Sequence, residues 1–192
     1  KCDWSSDVCS SDLPGGSPVQ SALIFSRIRE LADEKKVPVL VFCEDVAASG
    51  GYWLACAGDE IYADDSSVIG SIGVISAGFG FVEAIAKLGV ERRVHTAGEN
   101  KSILDPFKPE RPEDVEHLKS LQADIHAAFK TLVKSRRGTK LKRDDPDLFS
   151  GAFWAGRQAL ARGLVDGIGH MHQVLKARYG EKLVIRNVRS EE

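Results

Sequence analysis

Apolar positions recur at helical spacing along residues 18–35, where Val19, Leu23, Ile28, Leu31 and Ala32 share one face, and this spacing predicts a helix. Ser17 followed by Pro18 fits the N-cap and first position of that helix. Val37 to Cys43 is instead a short continuous apolar run rich in valine, the pattern of a strand buried on both faces. Beyond a short loop, Tyr52–Ala57 predicts a packed helix and Glu60–Ala63 a second strand. Val68–Ala77, with small and branched residues alternating, predicts a strand that runs into a loop. Phe81–Leu88 reads as a helix ended by Gly89, and Val90–Thr96 as a strand.

Pro106, Pro109 and Pro112 interrupt regular structure. A long helix starts at Pro112, with Glu113 and Asp114 in its first turn. Its apolar face is Val115, Leu118, Leu121, Ile125, Phe129 and Leu132. Arg136 and Arg137 suit its last turn and Gly138 its end. Residues 139–148 are charged and predict a loop, Trp154–Arg162 a helix, Gly163–Asp166 a turn with a short strand, and His170–Tyr179 a final helix. Strands alternating with helices predict an α/β layered fold. No internal repeat is present.

Lys1–Leu13 has neither period. It is similar to the translation of a sequencing adapter, and is expected to be a non-native segment outside the fold. The domain is then expected over residues 14–180, opening abruptly at Pro14-Gly15-Gly16 with earlier strands missing, and residues 181–192 form a tail.

Composition narrows the function classes. With 192 residues, 43% hydrophobic and 28% charged, the chain is an ordinary single globular domain. A net charge of −2 carries no footprint for nucleic acid. The four cysteines, Cys2, Cys9, Cys43 and Cys56, form no CxxC pair, and His170 and His172 alone make no metal site, so neither a metal nor a cofactor is expected. The charge-free run Ser66–Val82 is interrupted by glycines and serines and is short for a membrane span.

The chemistry centres on Ala47-Ala48-Ser49-Gly50-Gly51-Tyr52-Trp53, an apolar strand that leads through a small-residue turn into a helix. A serine there stands exposed on a strand-to-helix turn, its neighbours carry little or no side chain, and the helix N-terminus offers N–H groups to developing negative charge. Taken alone, a serine before two glycines is better explained as an N-cap beside a turn.

Four motifs in order change the reading. Asp45-Val-Ala-Ala-Ser-Gly-Gly-Tyr-Trp-Leu-Ala-Cys-Ala-Gly-Asp-Glu-Ile-Tyr-Ala63 resembles the nucleophile region of the signal peptide peptidase A family of serine proteases. Val68-Ile-Gly-Ser-Ile-Gly-Val74, Gly98-Glu-Asn-Lys-Ser-Ile-Leu-Asp-Pro-Phe107 and Ala159-Leu-Ala-Arg-Gly-Leu-Val-Asp-Gly-Ile-Gly169 resemble it too. The resemblance implies a Clp protease/crotonase-like fold of repeated ββα units. It implies Ser49 as nucleophile and Lys101 as general base, with oxyanion-hole amides at Gly15 and Gly16 of the Pro-Gly-Gly turn and at Gly50. It also implies that Gly70, Ser71, Ile72 and Gly73 lie beside the bound peptide, with Ser71 as a hydrogen bonder to Lys101.

A free lysine has a pKa of about 10.4, and burial is what favours its neutral form, so a lysine base needs a dry surrounding. Ile103, Leu104 and the apolar neighbours of Ser49 are expected to supply it. His95 is the competing base; His117 and His126 fall on the long helix. Ser66, Ser67 and Ser71 are the competing serines.

The family implies hydrophobic peptides such as cleaved signal peptides as substrates and a homo-oligomeric ring. Localisation is expected at the bacterial inner membrane through an anchor absent from these residues, or in the cytoplasm. Two rivals remain: a crotonase-like acyl-CoA enzyme using oxyanion amides and carboxylates, and a catalytically silent ring-forming scaffold.

Overall fold

A computed structural model describes residues 7–98, 100–142 and 144–185, and of residues 7–10 the backbone only. The chain divides into two compact units, one formed by the residues up to Gly73 and from Phe129 onward, the other by Val74–Ala128.

The first unit is built on a six-stranded sheet. Its central strand is β2 (Val39–Ala48), preceded by β1 (Asp7–Leu13) and α1 (Pro18–Lys35). There follow α2 (Gly50–Ala55), β3 (Glu60–Ala63) and β4 (Val68–Gly70). The strand order is β5-β4-β2-β3-β6, with β1 also on β2; β5 is Phe153–Ala155 and β6 is Gly167–Ile168. All pairs are parallel except β4 with β5. The first half of β2 pairs β3 over Leu40–Cys43, and its end pairs β4 over Val46–Ala48. Glu44 and Asp45 fall in the changeover and are exposed, whereas the rest of β2 is almost wholly buried.

Alternation on β2 fills two cores. Val39, Val41, Cys43 and Ala47 face one core with Tyr52, Trp53, Phe129, Val133 and Leu164. Leu40 and Phe42 face the other with Leu175 of α6 (Met171–Tyr179) and Tyr62. A strand buried on both faces carries no polar alternation, which is why Val39–Cys43 reads as one apolar run.

Several elements differ from expectation. Asp7–Leu13 is a strand of the sheet, in register from Asp7 with Val39 to Ser11 with Cys43 and then shifted so that Leu13 pairs Ala47, so the described sheet begins before Pro14. Its polar sequence hides it, because the pairing comes from β2. On α1, Val19 and Leu23 are 64% and 59% exposed, and the inward face is Ser21, Phe25, Ile28 and Ala32 instead. Trp154 lies in β5, paired with Ile69 of β4, and the helix α5 starts only at Gly156 and ends at Ala161.

In the second unit, α3 is Val82–Lys87, and α4 (Pro112–Arg137) begins there and ends in the first unit. Residues 90–96 form no strand, because no strand among the described residues pairs with them.

Candidate active site

β2 ends at Ala48 and α2 begins at Gly50, so the whole reversal of chain direction falls on Ser49. Its backbone adopts φ 51° and ψ −120°, a conformation that side-chain-bearing residues rarely hold. Two bonds fix it: the Ser49 amide donates to the Gly70 carbonyl at 2.9 Å, and the Ser49 carbonyl accepts from the Trp53 amide at 3.0 Å. The result is a half-buried serine on a sharp strand-to-helix turn.

The paired glycines have a steric origin. The segment Leu13–Gly16 runs directly over the start of α2. A Cβ on Gly51 would stand 2.1 Å from the Leu13 carbonyl oxygen. One on Gly50 would stand 2.7 Å from Ser21 Oγ and 3.0 Å from the Gly16 nitrogen. One on Gly15 would stand 3.6 Å from Ser49 Cβ and 3.9 Å from its Oγ. Ser49, Gly50, Gly15 and Gly16 thus lie close together. Among the described residues, the Gly15 and Gly16 amides donate to no carbonyl. With six residues, α2 contributes little macrodipole, so local amides are the available donors.

Gly70, Ser71, Ile72 and Gly73 adjoin this turn through the Gly70–Ser49 bond. Ser71 has φ 52° and donates its amide to Ala152 at 2.7 Å, the Gly73 amide donates to Ser71 at 2.9 Å, and Ile72 is fully buried. Of the competing serines, Ser67 is buried and holds the strand changeover: its hydroxyl bonds the Glu44 and Cys43 carbonyls and accepts from the Asp64 amide. Ser66 is exposed in the same turn.

Residues that sequence reading missed brace α2. Arg136 donates to the carbonyls of Cys56 at 2.8 Å and Gly58 at 3.0 Å, and Arg29 to that of Ala57 at 3.0 Å, so two guanidinium groups close the C-terminal end of the helix. The Tyr52 hydroxyl donates to the Leu164 carbonyl at 2.7 Å, and burial holds its pKa well above the ordinary value. Burial likewise pushes the Cys56 thiol up to about 12, which leaves it inert as a nucleophile. Ser21 was legible only as a polar residue inside an apolar helix period.

Lys101 belongs to the second unit and is exposed on a turn in which its amide donates to Gly98 at 3.3 Å. Ile103 and Leu104 are half-buried and do not cover it. His95 and His117 are exposed and His126 is half-buried. His170 lies 3.4 Å from Asp64 in the first unit.

Close packing at Gly50 makes a stability test. Gly50→Ala is expected to cost about 1–3 kcal/mol, the usual range for overpacking. Adding Ser21→Ala, which removes the nearest atom, should recover part of it. Urea unfolding of the single and double variants measures both; equal stability of Gly50→Ala and the parent would refute the contact.

Comparison with known proteins follows the same lines. The profile of peptidase family S49 matches residues 31–184. The chain is 58% identical over 182 residues to the Na(+)/H(+) antiporter NhaA of Brucella abortus, covering 95% of this chain and 25% of that protein. It is 30% identical over 165 residues to the chloroplastic serine protease SPPA of Arabidopsis thaliana, covering 85% of this chain and 24% of that one. It is 32% identical over 174 residues to the putative signal peptide peptidase SppA of Enterococcus faecium, covering 88% and 48%. The chain therefore spans a quarter to about half of the length of these relatives. Among the described residues of this chain, no helix is long and apolar enough to cross a membrane. With an α/β sheet carrying Ser49 on its strand-to-helix turn, and a family profile covering most of its length, the chain belongs to peptidase family S49.

Proposed function

We propose that the protein is a serine endopeptidase of the Ser–Lys type that hydrolyses hydrophobic peptides such as cleaved signal peptides. The observation that carries this is the strained turn at Ser49 with the Gly15–Gly16 backbone laid against it. In the proposed cycle, Ser49 Oγ adds to the scissile carbonyl carbon while its proton passes to the neutral amine of Lys101. The oxyanion is received by amides among Gly15, Gly16 and Gly50. The C–N bond then breaks, and the departing amine takes the proton back from Lys101. A water, deprotonated by the same amine, releases the acyl group and restores Ser49.

Gly70, Ser71, Ile72 and Gly73 are proposed to flank the peptide. The amides of Ser71 and Gly73 already donate within the chain, so the contacts fall to the Ser71 hydroxyl and to remaining acceptors. Ser71 is also proposed to hydrogen-bond Lys101.

A lysine works as a base only when its amine is desolvated. Lys101 is exposed, and its cover is proposed to come with bound peptide or with a neighbouring copy. Assembly into a homo-oligomeric ring is proposed on this ground. Its further support is the exposed apolar side chains, Ile75 at 87%, Phe79 at 80% and Leu88 at 77% in one unit and Val19 and Leu23 in the other. Hydrophobic peptide remnants lie at membranes, and action at the bacterial inner membrane is proposed for the whole protein.

The test is labelling by a fluorophosphonate. The adduct is expected on Ser49 and is lost in Ser49→Ala. Lys101→Ala should slow labelling by at least about a hundredfold, the upper part of the usual range for a general base being higher still. His95→Gln should leave the rate within twofold, again as a rough estimate. An adduct elsewhere ends the Ser49 reading; loss with His95→Gln and not with Lys101→Ala reassigns the base. Acyl-CoA binding without labelling would mark a crotonase-like enzyme.

A further inference from the structure

The unit that carries Lys101 has an unusual interior. Among the described residues of Val74–Ala128, the two that are buried are both carboxylates, Asp105 and Asp114. A unit without a buried apolar core has little packing to fix its loops, so directional bonds must do it. Asp105 bonds the turn that holds Lys101, and Asp114 lies beside the end of that turn.

Asp105 has a side chain 3% exposed. Its Oδ1 accepts from the Phe107 amide at 3.0 Å, and Arg92 Nε reaches both its oxygens at 3.2 and 3.1 Å. Ser102, the residue after Lys101, places its hydroxyl 3.4 Å from Oδ2. The Asp105 carbonyl accepts from the Lys108 amide at 3.0 Å. Arg92 also lies over the Phe107 ring at 4.9 Å, and Phe107 stacks on Phe81 at 5.5 Å. Leu104, whose φ of 53° is left-handed, presents its amide toward Asp114, which is itself held by Arg111. The turn over residues 100–104 is thus tied at its far end to the buried Asp105 anion, while Lys101 itself points outward. The Phe107 amide and Arg92 hold the Asp105 carboxyl below the ordinary carboxylate range against the effect of burial, so it is an anion at neutral pH.

We infer that Asp105 is a positioning residue for Lys101: its buried carboxylate fixes the turn that presents the amine, without touching the reacting atoms. The inference rests on the reading of Lys101 as the general base.

A double-mutant cycle separates positioning from mere support of the fold. The readouts are the rate of Ser49 labelling by a fluorophosphonate and turnover of a fluorogenic tetrapeptide with an apolar residue on its acyl side, both on the full-length protein. Asp105→Asn should lower the labelling rate and kcat by about ten- to a hundredfold, with KM within twofold, as expected when a catalytic group is misplaced. Arg92→Gln, at a side chain 42% exposed and so tolerant of change, should act in the same direction by several-fold. It serves in place of Asp105→Asn should that variant not fold. In a Lys101→Ala background neither change should slow the residual labelling further, because there is no amine left to position. Two results overturn the inference while leaving Lys101 as base: wild-type kcat in both variants, or an equal further loss in the Lys101→Ala background. Wild-type labelling by Lys101→Ala alone would instead remove the reading beneath it.

Discussion

Glycine at position 49 is expected to stabilise the protein by about 1 kcal/mol while abolishing peptide hydrolysis. The backbone there, at φ 51° and ψ −120°, is a place where a side chain costs about 1–3 kcal/mol. Glycine relieves that cost, and its larger unfolded-state entropy takes back about 0.5–1 kcal/mol. The net gain corresponds to roughly 2–4 °C in Tm for a domain of this size. Hydrolysis should fall by about five to six orders of magnitude, the loss seen when a serine nucleophile is removed. Ser49→Ala is the control: it loses the same activity but keeps its Cβ, and so keeps the strain. If thermal unfolding finds Ser49→Gly no more stable than Ser49→Ala, the turn is not strained. The trade is informative because a serine retained at an energetic cost needs a reason outside folding.

That turn was legible because its Gly50–Gly51 pair answers to one contact. Backbone crossing backbone leaves no room for a Cβ at Gly50 or Gly51, and a sequence records such a crossing as glycine. The buried strand β2 and the helices α1, α4 and α6 were legible because their patterns follow from local period. What escaped depends on partners distant in the chain. β1 is a polar stretch made into a strand by β2, and Val90–Thr96 alternates like a strand but has no ladder to join among the described residues. Trp154 continues the apolar pattern of the helix after it, yet pairs Ile69 across β5 and β4. Arg136 and Arg29 read as surface charge, since nothing local says that the carbonyls at the end of α2 wait for them. Lys101 was found by motif alone, and its exposure on the chain could not be read from Ile103 and Leu104 beside it.

The second large effect lies at the C-terminal end of α4. Arg137 is 2% exposed, donates from Nε to the Gly163 carbonyl at 2.9 Å, and pairs through Nη1 with Asp166 at 2.7 Å. The second oxygen of Asp166 accepts from Lys140 at 2.6 Å, and Oδ2 also accepts from the Ile61 amide at 2.8 Å. This ties the end of α4 to β3 and to the turn after α5. Breaking such a buried pair from one side costs about 3–5 kcal/mol, because the remaining charge stays buried without its partner. Arg137→Met, which keeps most of the volume, is therefore expected to lose about 3 kcal/mol, the low end, since Lys140 still neutralises Asp166. The double variant Arg137→Met with Asp166→Asn should be more stable than the sum of the singles predicts, by about 1–3 kcal/mol. The pair also has a pH signature. Burial alone would raise the Asp166 pKa, but bonds from Arg137, Lys140 and the Ile61 amide outweigh it and hold the value below the ordinary carboxylate range. A depressed folded value means that the unfolded chain binds the proton first, so the stabilisation is complete above the ordinary carboxylate pKa and fades as pH falls through the depressed one. Urea unfolding from neutral pH into the acid range should show the parent losing its advantage over Arg137→Met, and a constant gap between the two would rule out the ion pair as its source.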